Sequence, residues 1–196
     1  MIYEMAERLS GSTEQAPLTV GRGVKPTPVP AGGVKERLFA DVDELAGRLD
    51  DLAVEQWENP ELGLHEERAS RLLRETLSDA GFEIETDVGD MPTAFVASDD
   101  AGDGPTIGIL GEYDALPGLS QAVSAEREPI QAGGPGHGCG HNLFGTAGVG
   151  AAIAVSRALE RGDADGEVRF YGCPAEETLV GKTFMARDGA FDDLDA

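Results

Sequence analysis

From Lys35 onward the apolar residues fall at helical spacing. Leu38, Val42, Leu45, Leu49 and Leu52 recur at steps of four and three, which predicts an amphipathic helix stopped at Asn59-Pro60. A second stripe, Leu72, Leu73, Leu77 and Ala80, predicts a helix from about Glu66 with Gly81 as its left-handed stop. The period then drops to two. Phe82-Glu83-Ile84-Glu85-Thr86 and Ala94-Phe95-Val96-Ala97 alternate like half-buried strands. Residues 99–105 read as a turn and residues 106–111 as a buried strand. After a long Gly-rich loop, an alanine-rich helix is expected over 143–159, ending near Gly162. A strand over 168–172 and a last helix ending near Gly189 complete the pattern. Helices mixed with buried strands predict an α/β fold. Residues 10–33 are rich in Gly, Pro, Ser and Thr and carry no period. The chain therefore divides into a flexible leader, 1–34, and a folded part, 35–196.

Composition changes this picture in one respect. Of 196 residues, 37 are acidic and 15 basic, a formal net charge of −22, and only Lys25, Lys35 and Lys182 are lysines. The leader is neutral, so the excess lies in the folded part. A disordered acidic tail would lack the apolar periodicity seen here. Self-repulsion of this size is best tolerated in concentrated salt, where the Debye length shrinks to about 3 Å at 1 M. A halophilic protein that unfolds at low salt is expected, with neither nucleic acid nor anionic membrane as a partner. Two cysteines, Cys139 and Cys173, make no disulfide framework. The start has no signal-peptide pattern and no segment is expected to reach membrane-spanning length, which predicts a cytoplasmic protein.

Three polar clusters follow predicted elements in comparable places. Glu112-Tyr113-Asp114 follows the strand 106–111, Glu176-Glu177 follows the strand 168–172, and Cys139 and His141 stand at the start of a helix. In open α/β sheets, sites form outside the carboxyl ends of strands, so all three can converge on one edge. Thiolate, imidazole and carboxylate are donors of a zinc-type metal, and a further carboxylate is the base a hydrolytic water needs. A helix N-terminus favours the thiolate of Cys139. Each piece alone has a plainer reading: a buried thiol beside a capping histidine, dipole-complementing glutamates, a solvated acidic loop. His65 reads as a helix-start residue, and His137 has no assigned role. Two nucleotide motifs fail. Gly181-Lys182-Thr183 has Glu176 where a P-loop needs glycine, and from Gly136 and Gly138 the third position of a dinucleotide fingerprint is His141.

Four stretches occur in one order over residues 35–196: Asn59-Pro60-Glu61-Leu62-Gly63, residues 108–119, residues 133–146 and residues 171–182. Together they resemble the metal-dependent amidohydrolase and peptidase superfamily of aminoacylases, carboxypeptidase-G-like enzymes and auxin-conjugate hydrolases. The likeness is nearest to its p-aminobenzoyl-glutamate hydrolase branch. The resemblance implies the N-terminal portion of a three-layer α/β/α metallohydrolase catalytic domain, without the lid and dimerisation domain. It implies Cys139, His141 and Glu177 as metal ligands, Glu176 as general base, and Asp114 as the acid that orients a ligand. Glu112 stands where many members carry a histidine ligand, and its role stays open.

The implied activity is cleavage of the amide of an N-acyl or N-aroyl amino acid by a metal-activated water. Thiolate ligation fits zinc, and oxygen-rich neighbours admit manganese or cobalt. Relatives supply further histidine ligands after the Glu-Glu pair, whereas this chain has only His65, His137 and His141. An N-terminal part, inactive alone, is therefore expected, with a homodimer only for the full-length protein. Two alternatives stand beside it: a non-enzymatic remnant or partner-dependent half-domain, and a structural acidic domain whose Cys-His and Glu-Glu are coincidental.

Overall fold

A computed structural model describes residues 33–196. The predicted leader lies almost wholly outside the described residues. The first apolar stripe forms α1 (Val34–Glu58), and the second forms α2 (Glu67–Asp79). Leu45, Leu49 and Leu52 are buried, whereas Val42 in the early turns stays 36% exposed. At the end of α2 the Gly81 amide bonds Ser78 O and the Phe82 amide bonds Leu77 O. Gly81, at φ 101°, supplies the left-handed residue that this C-terminal motif requires. Phe82 and Leu77 then join the same core cluster.

Four strands follow: β1 (Glu83–Thr86), β2 (Phe95–Asp100), β3 (Thr106–Glu112) and β4 (Glu167–Cys173). Their order is β1-β2-β4-β3, with the β3–β4 pair parallel and the others antiparallel. Between β3 and β4 runs α3 (His141–Glu160), and α4 (Gly181–Arg187) closes the order. Two expectations are corrected. Asp99 and Asp100 belong to β2 and not to a turn, because they continue its ladder opposite Val168 and Glu167. Among the described residues the strand 106–111 is half-exposed, because β3 is an outer strand of the four-stranded sheet they form. The chain's last residues reach that edge, where the Asp195 amide bonds Thr106 O and the Gly108 amide bonds Ala196 O.

Helices cover both faces, giving the three-layer α/β/α arrangement. On one face, residues of α1, α2 and α3 pack with Phe95, Ala97, Val168 and Phe170. On the other, Met185 of α4, with Phe191 and Leu194 beyond it, packs against Val96 and Tyr171. One further expectation needs correction. The 20-residue α3, which holds an 18-residue window of mean hydropathy 1.2, is long and apolar enough to cross a membrane by length and composition. Leu143 and Phe144 stay exposed, but much of its apolar surface packs in the core with the sheet, where Val149 and Ala152 are fully buried.

Candidate metal centre

Since β3 and β4 run parallel, their carboxyl ends lie together, with Glu112 opposite Cys173. Chain folds away from both at this edge. Past β3, the Ala115 amide bonds Glu61 O at 2.7 Å, which ties the Asn59–Gly63 loop to the site. Past β4, Ala175 adopts φ 53° before a 3-10 turn, Glu176–Thr178. The long loop after β3 returns to Gly140, at φ 88°, and α3 begins at His141. Beneath it, α1 and α3 are joined by polar contacts: Gln56 Nε2 to Thr146 Oγ1 at 3.0 Å, and Asn142 Nδ2 to Ala53 O at 3.1 Å.

His141 is the hub, with its side chain 5% exposed. Its Nδ1 lies 2.8 Å from Asp114 Oδ1 and 3.1 Å from the Asp114 backbone carbonyl. Both partners accept, so Nδ1 carries hydrogen and Nε2 is the nitrogen left for a metal. Nε2 lies 3.0 Å from Glu112 Oε2 and 3.7 Å from Glu176 Oε2. The Asp114 hydrogen bond, outweighing burial, raises the His141 pKa above its ordinary 6.5. The other Asp114 oxygen accepts the Glu177 amide at 2.9 Å. One buried carboxylate thus fixes both an imidazole and the backbone of the Glu-Glu pair.

All the residues expected at the site are brought together. Cys139, His141 and Glu177 form one set of donor atoms lying within 4.8 Å of one another, and Glu112, His141 and Glu176 form another. Glu177 Oε1 is buried without a hydrogen-bond partner. A buried oxygen left unpaired among a thiol, an imidazole and carboxylates fits a divalent cation. The expected thiolate at Cys139 is corrected for the metal-free protein. Partial desolvation, then Glu177, Glu176 and Glu112, raise its pKa, and these carboxylates oppose the helix N-terminus.

Glu112, left open by the sequence, is drawn in as a neighbour of His141 Nε2 and also pairs with Lys182. His137 is buried, in neither donor set, and its pKa is lowered to about 4, first by burial and then by His141. It borders a cavity of about 450 Å3 lined also by Trp57, Pro60, Leu119 and Ile130. His65 is exposed and belongs to neither donor set. Sequence reasoning missed Glu66 and Thr93, both buried behind the Glu-Glu turn. Only the position of Glu66 directly after the Asn59–Gly63 stretch could have marked it.

No protein-family model matches the chain. Individual relatives do. It is 51% identical over 150 residues to a component of the p-aminobenzoyl-glutamate hydrolase of Escherichia coli K12, covering 76% of this chain and 31% of that protein. It is 35% identical over 174 residues to the Xaa-Arg dipeptidase of Mus musculus, covering 83% and 36%. Among solved structures, it resembles a dinuclear metal-binding peptidase of the M20 family from Bacillus subtilis. That match has a TM-score of 0.67 and 27% identity, covering 78% of this chain and 41% of the other.

The chain belongs to the M20 metallopeptidase family. The resemblance read from the four ordered stretches is therefore correct, and the α/β/α layers are those of the M20 catalytic domain. The relatives of the chain are named hydrolases and peptidases. The chain spans about a third of the length of the curated relatives described above.

Proposed function

We propose that this chain is the metal-binding part of an amidohydrolase that cleaves the amide of an N-acyl or N-aroyl amino acid of the p-aminobenzoyl-glutamate type. One observation carries the reading. A buried carboxylate, Asp114, orients His141 and holds the Glu177 amide, while Cys139, Glu176 and Glu112 close around the same imidazole. Cys139, His141 and Glu177 would hold the metal, zinc by the thiolate, with manganese or cobalt admitted by the oxygens. A bound divalent cation would supply acidity for a water and polarisation of the amide carbonyl. Glu176, 32% exposed at the edge of the site, would take the water's proton and pass it to the departing amine. Asp114 keeps hydrogen on Nδ1, so that Nε2 stays available as a donor. The apolar cavity beside His137 has room for an acyl or aroyl group.

The test titrates the wild-type chain, Cys139→Ser and Glu176→Gln with Co2+ and Zn2+, and assays each with p-aminobenzoyl-glutamate. Wild type and Glu176→Gln bind metal, Cys139→Ser loses the thiolate-to-cobalt absorption, and Glu176→Gln shows no turnover. A wild-type chain that binds no metal overturns the reading. So does a Glu176→Gln variant that keeps the turnover of an active wild-type chain. A second reading, a half-domain that binds metal but works only with another polypeptide, is favoured by the three-donor size of each set among the described residues. Metal binding without hydrolysis by the wild-type chain selects it.

A further inference from the structure

Glu66 is a fully buried carboxylate at the start of α2. Among the described residues no lysine, arginine or histidine pairs with it. Its Oε1 accepts the Ala175 amide at 2.7 Å and its Oε2 accepts the Thr93 hydroxyl at 3.0 Å. A buried carboxylate with neutral partners only is a costly arrangement, and desolvation raises its pKa. What it holds is an unusual turn. Ala175 is a non-glycine residue in the left-handed region, at φ 53° and ψ 40°, a conformation that persists only where surroundings impose it.

The surroundings do so from several sides. Gly63 faces Ala175 so closely that an added Cβ would lie 3.0 Å from its Cα. The Ala175 carbonyl accepts the Thr178 hydroxyl at 3.1 Å and the Val180 amide at 3.3 Å. Two residues on, Asp114 accepts the Glu177 amide at 2.9 Å. Glu176 therefore sits between two amides, each fixed by a buried carboxylate from a different part of the chain.

We infer that Glu66 is a positioning residue for the Glu176-Glu177 pair, acting through the Ala175 amide to aim both side chains at the metal centre. The inference rests on the proposed roles of Glu176 and Glu177. It makes the Asn59–Gly63 stretch and the start of α2 part of the site, although none of their side chains is a candidate ligand.

The test compares wild type, Glu66→Ala, Glu66→Asp and Glu66→Gln by cobalt titration and by amide hydrogen exchange at residues 175–177. Aspartate keeps the charge but is one methylene too short to reach Ala175. Glutamine keeps one oxygen for the Ala175 amide and offers its NH2 group to the Thr93 oxygen. The alanine and aspartate variants should bind cobalt at least tenfold more weakly, with altered d–d bands and faster exchange at Ala175 and Glu177. Glutamine should restore binding to within about threefold and restore the bands, which general damage to folding would not permit. Wild-type exchange at 175–177 in Glu66→Asp overturns the inference. So does wild-type cobalt affinity in a folded Glu66→Ala. If the wild-type chain takes up no cobalt, the metal reading fails separately, and the exchange data alone decide the clamp.

Discussion

Replacing Asp114 by asparagine changes one atom at the centre of the site. Asp114 is 1% exposed, with one oxygen 2.8 Å from His141 Nδ1 and the other 2.9 Å from the Glu177 nitrogen. Both neighbours donate, and asparagine has only one oxygen to offer them. The backbone carbonyl of residue 114, 3.1 Å from Nδ1, keeps hydrogen on that nitrogen. The amide oxygen therefore turns to His141, and the new NH2 group meets the Glu177 N–H, donor against donor. A buried donor left unpaired costs about 1–3 kcal/mol, to which the lost charge on the His141 hydrogen bond adds. The metal-free variant should be less stable than wild type by roughly 2–4 kcal/mol in urea unfolding. It should bind zinc about 10–100-fold more weakly by competition titration, the usual effect of removing the partner that orients a ligand. Hydrogen exchange should quicken more at Glu177 than at Ala175, whose amide Glu66 still holds. Stability within about 0.5 kcal/mol of wild type, the size of an ordinary surface substitution, together with unchanged zinc affinity, refutes the two-donor account.

Other expectations follow from single observations. In the folded metal-free chain one thiol, the exposed Cys139, should react with a thiol reagent. Cys173, buried and pushed up to about 12, should react only on unfolding; two fast thiols would contradict this. The Glu66 pKa is raised above its ordinary 4.5 by burial, so its contribution to stability is complete below that value and is lost as pH rises through the folded value. The stability of Glu66→Gln relative to wild type should accordingly improve as pH rises through the mildly acidic range, and parallel pH profiles would remove the buried-carboxylate argument. The net charge of −22 should make the urea midpoint climb steeply between roughly 0.1 and 2 M KCl, whereas a flat profile would exclude salt adaptation.

The fold was legible where burial follows period. The spacing of Leu45, Leu49 and Leu52 marked α1, and Gly81 and Gly162 marked the ends of α2 and α3. Alternation does not reveal a strand's place in the sheet, so β3 read as buried although it lies at an edge. Turn chemistry at Asp99 and Asp100 lost to two further ladder pairs with β4. The convergence of the candidate residues was legible for a topological reason: Asp114, His141 and the Glu-Glu pair all lie just beyond strand ends or at a helix start on one edge. Glu66 was not legible. Beside Glu67 and after His65 it resembles an ordinary acidic helix start, and only the folded chain shows that its carboxylate points inward to Ala175 while Glu61 caps α2 at the Arg68 and Ala69 amides.

The electrostatics explain why so many carboxylates crowd one imidazole in a chain already far from neutral. Glu112, Asp114, Glu176 and Glu177 surround His141, and Lys182 is the lysine paired with this group. Without a cation the cluster reduces its own repulsion in the ways open to it. The His141 pKa rises, which favours the imidazolium, and the Cys139 pKa rises, which favours the neutral thiol. Both shifts run against metal ligation, which needs a neutral Nε2 and a thiolate. On the proposed ligand set, metal uptake would release protons from these two residues, and its affinity should rise with pH. The same repulsion makes a bound cation a stabiliser of the folded chain, worth about 2.7 kcal/mol at a hundredfold excess over the dissociation constant. A surface cluster of solvated acids would have no reason to bury Asp114 completely or to leave Glu177 Oε1 unpaired in the interior. Those two environments, more than the number of carboxylates, favour the proposed metal centre over an acidic surface.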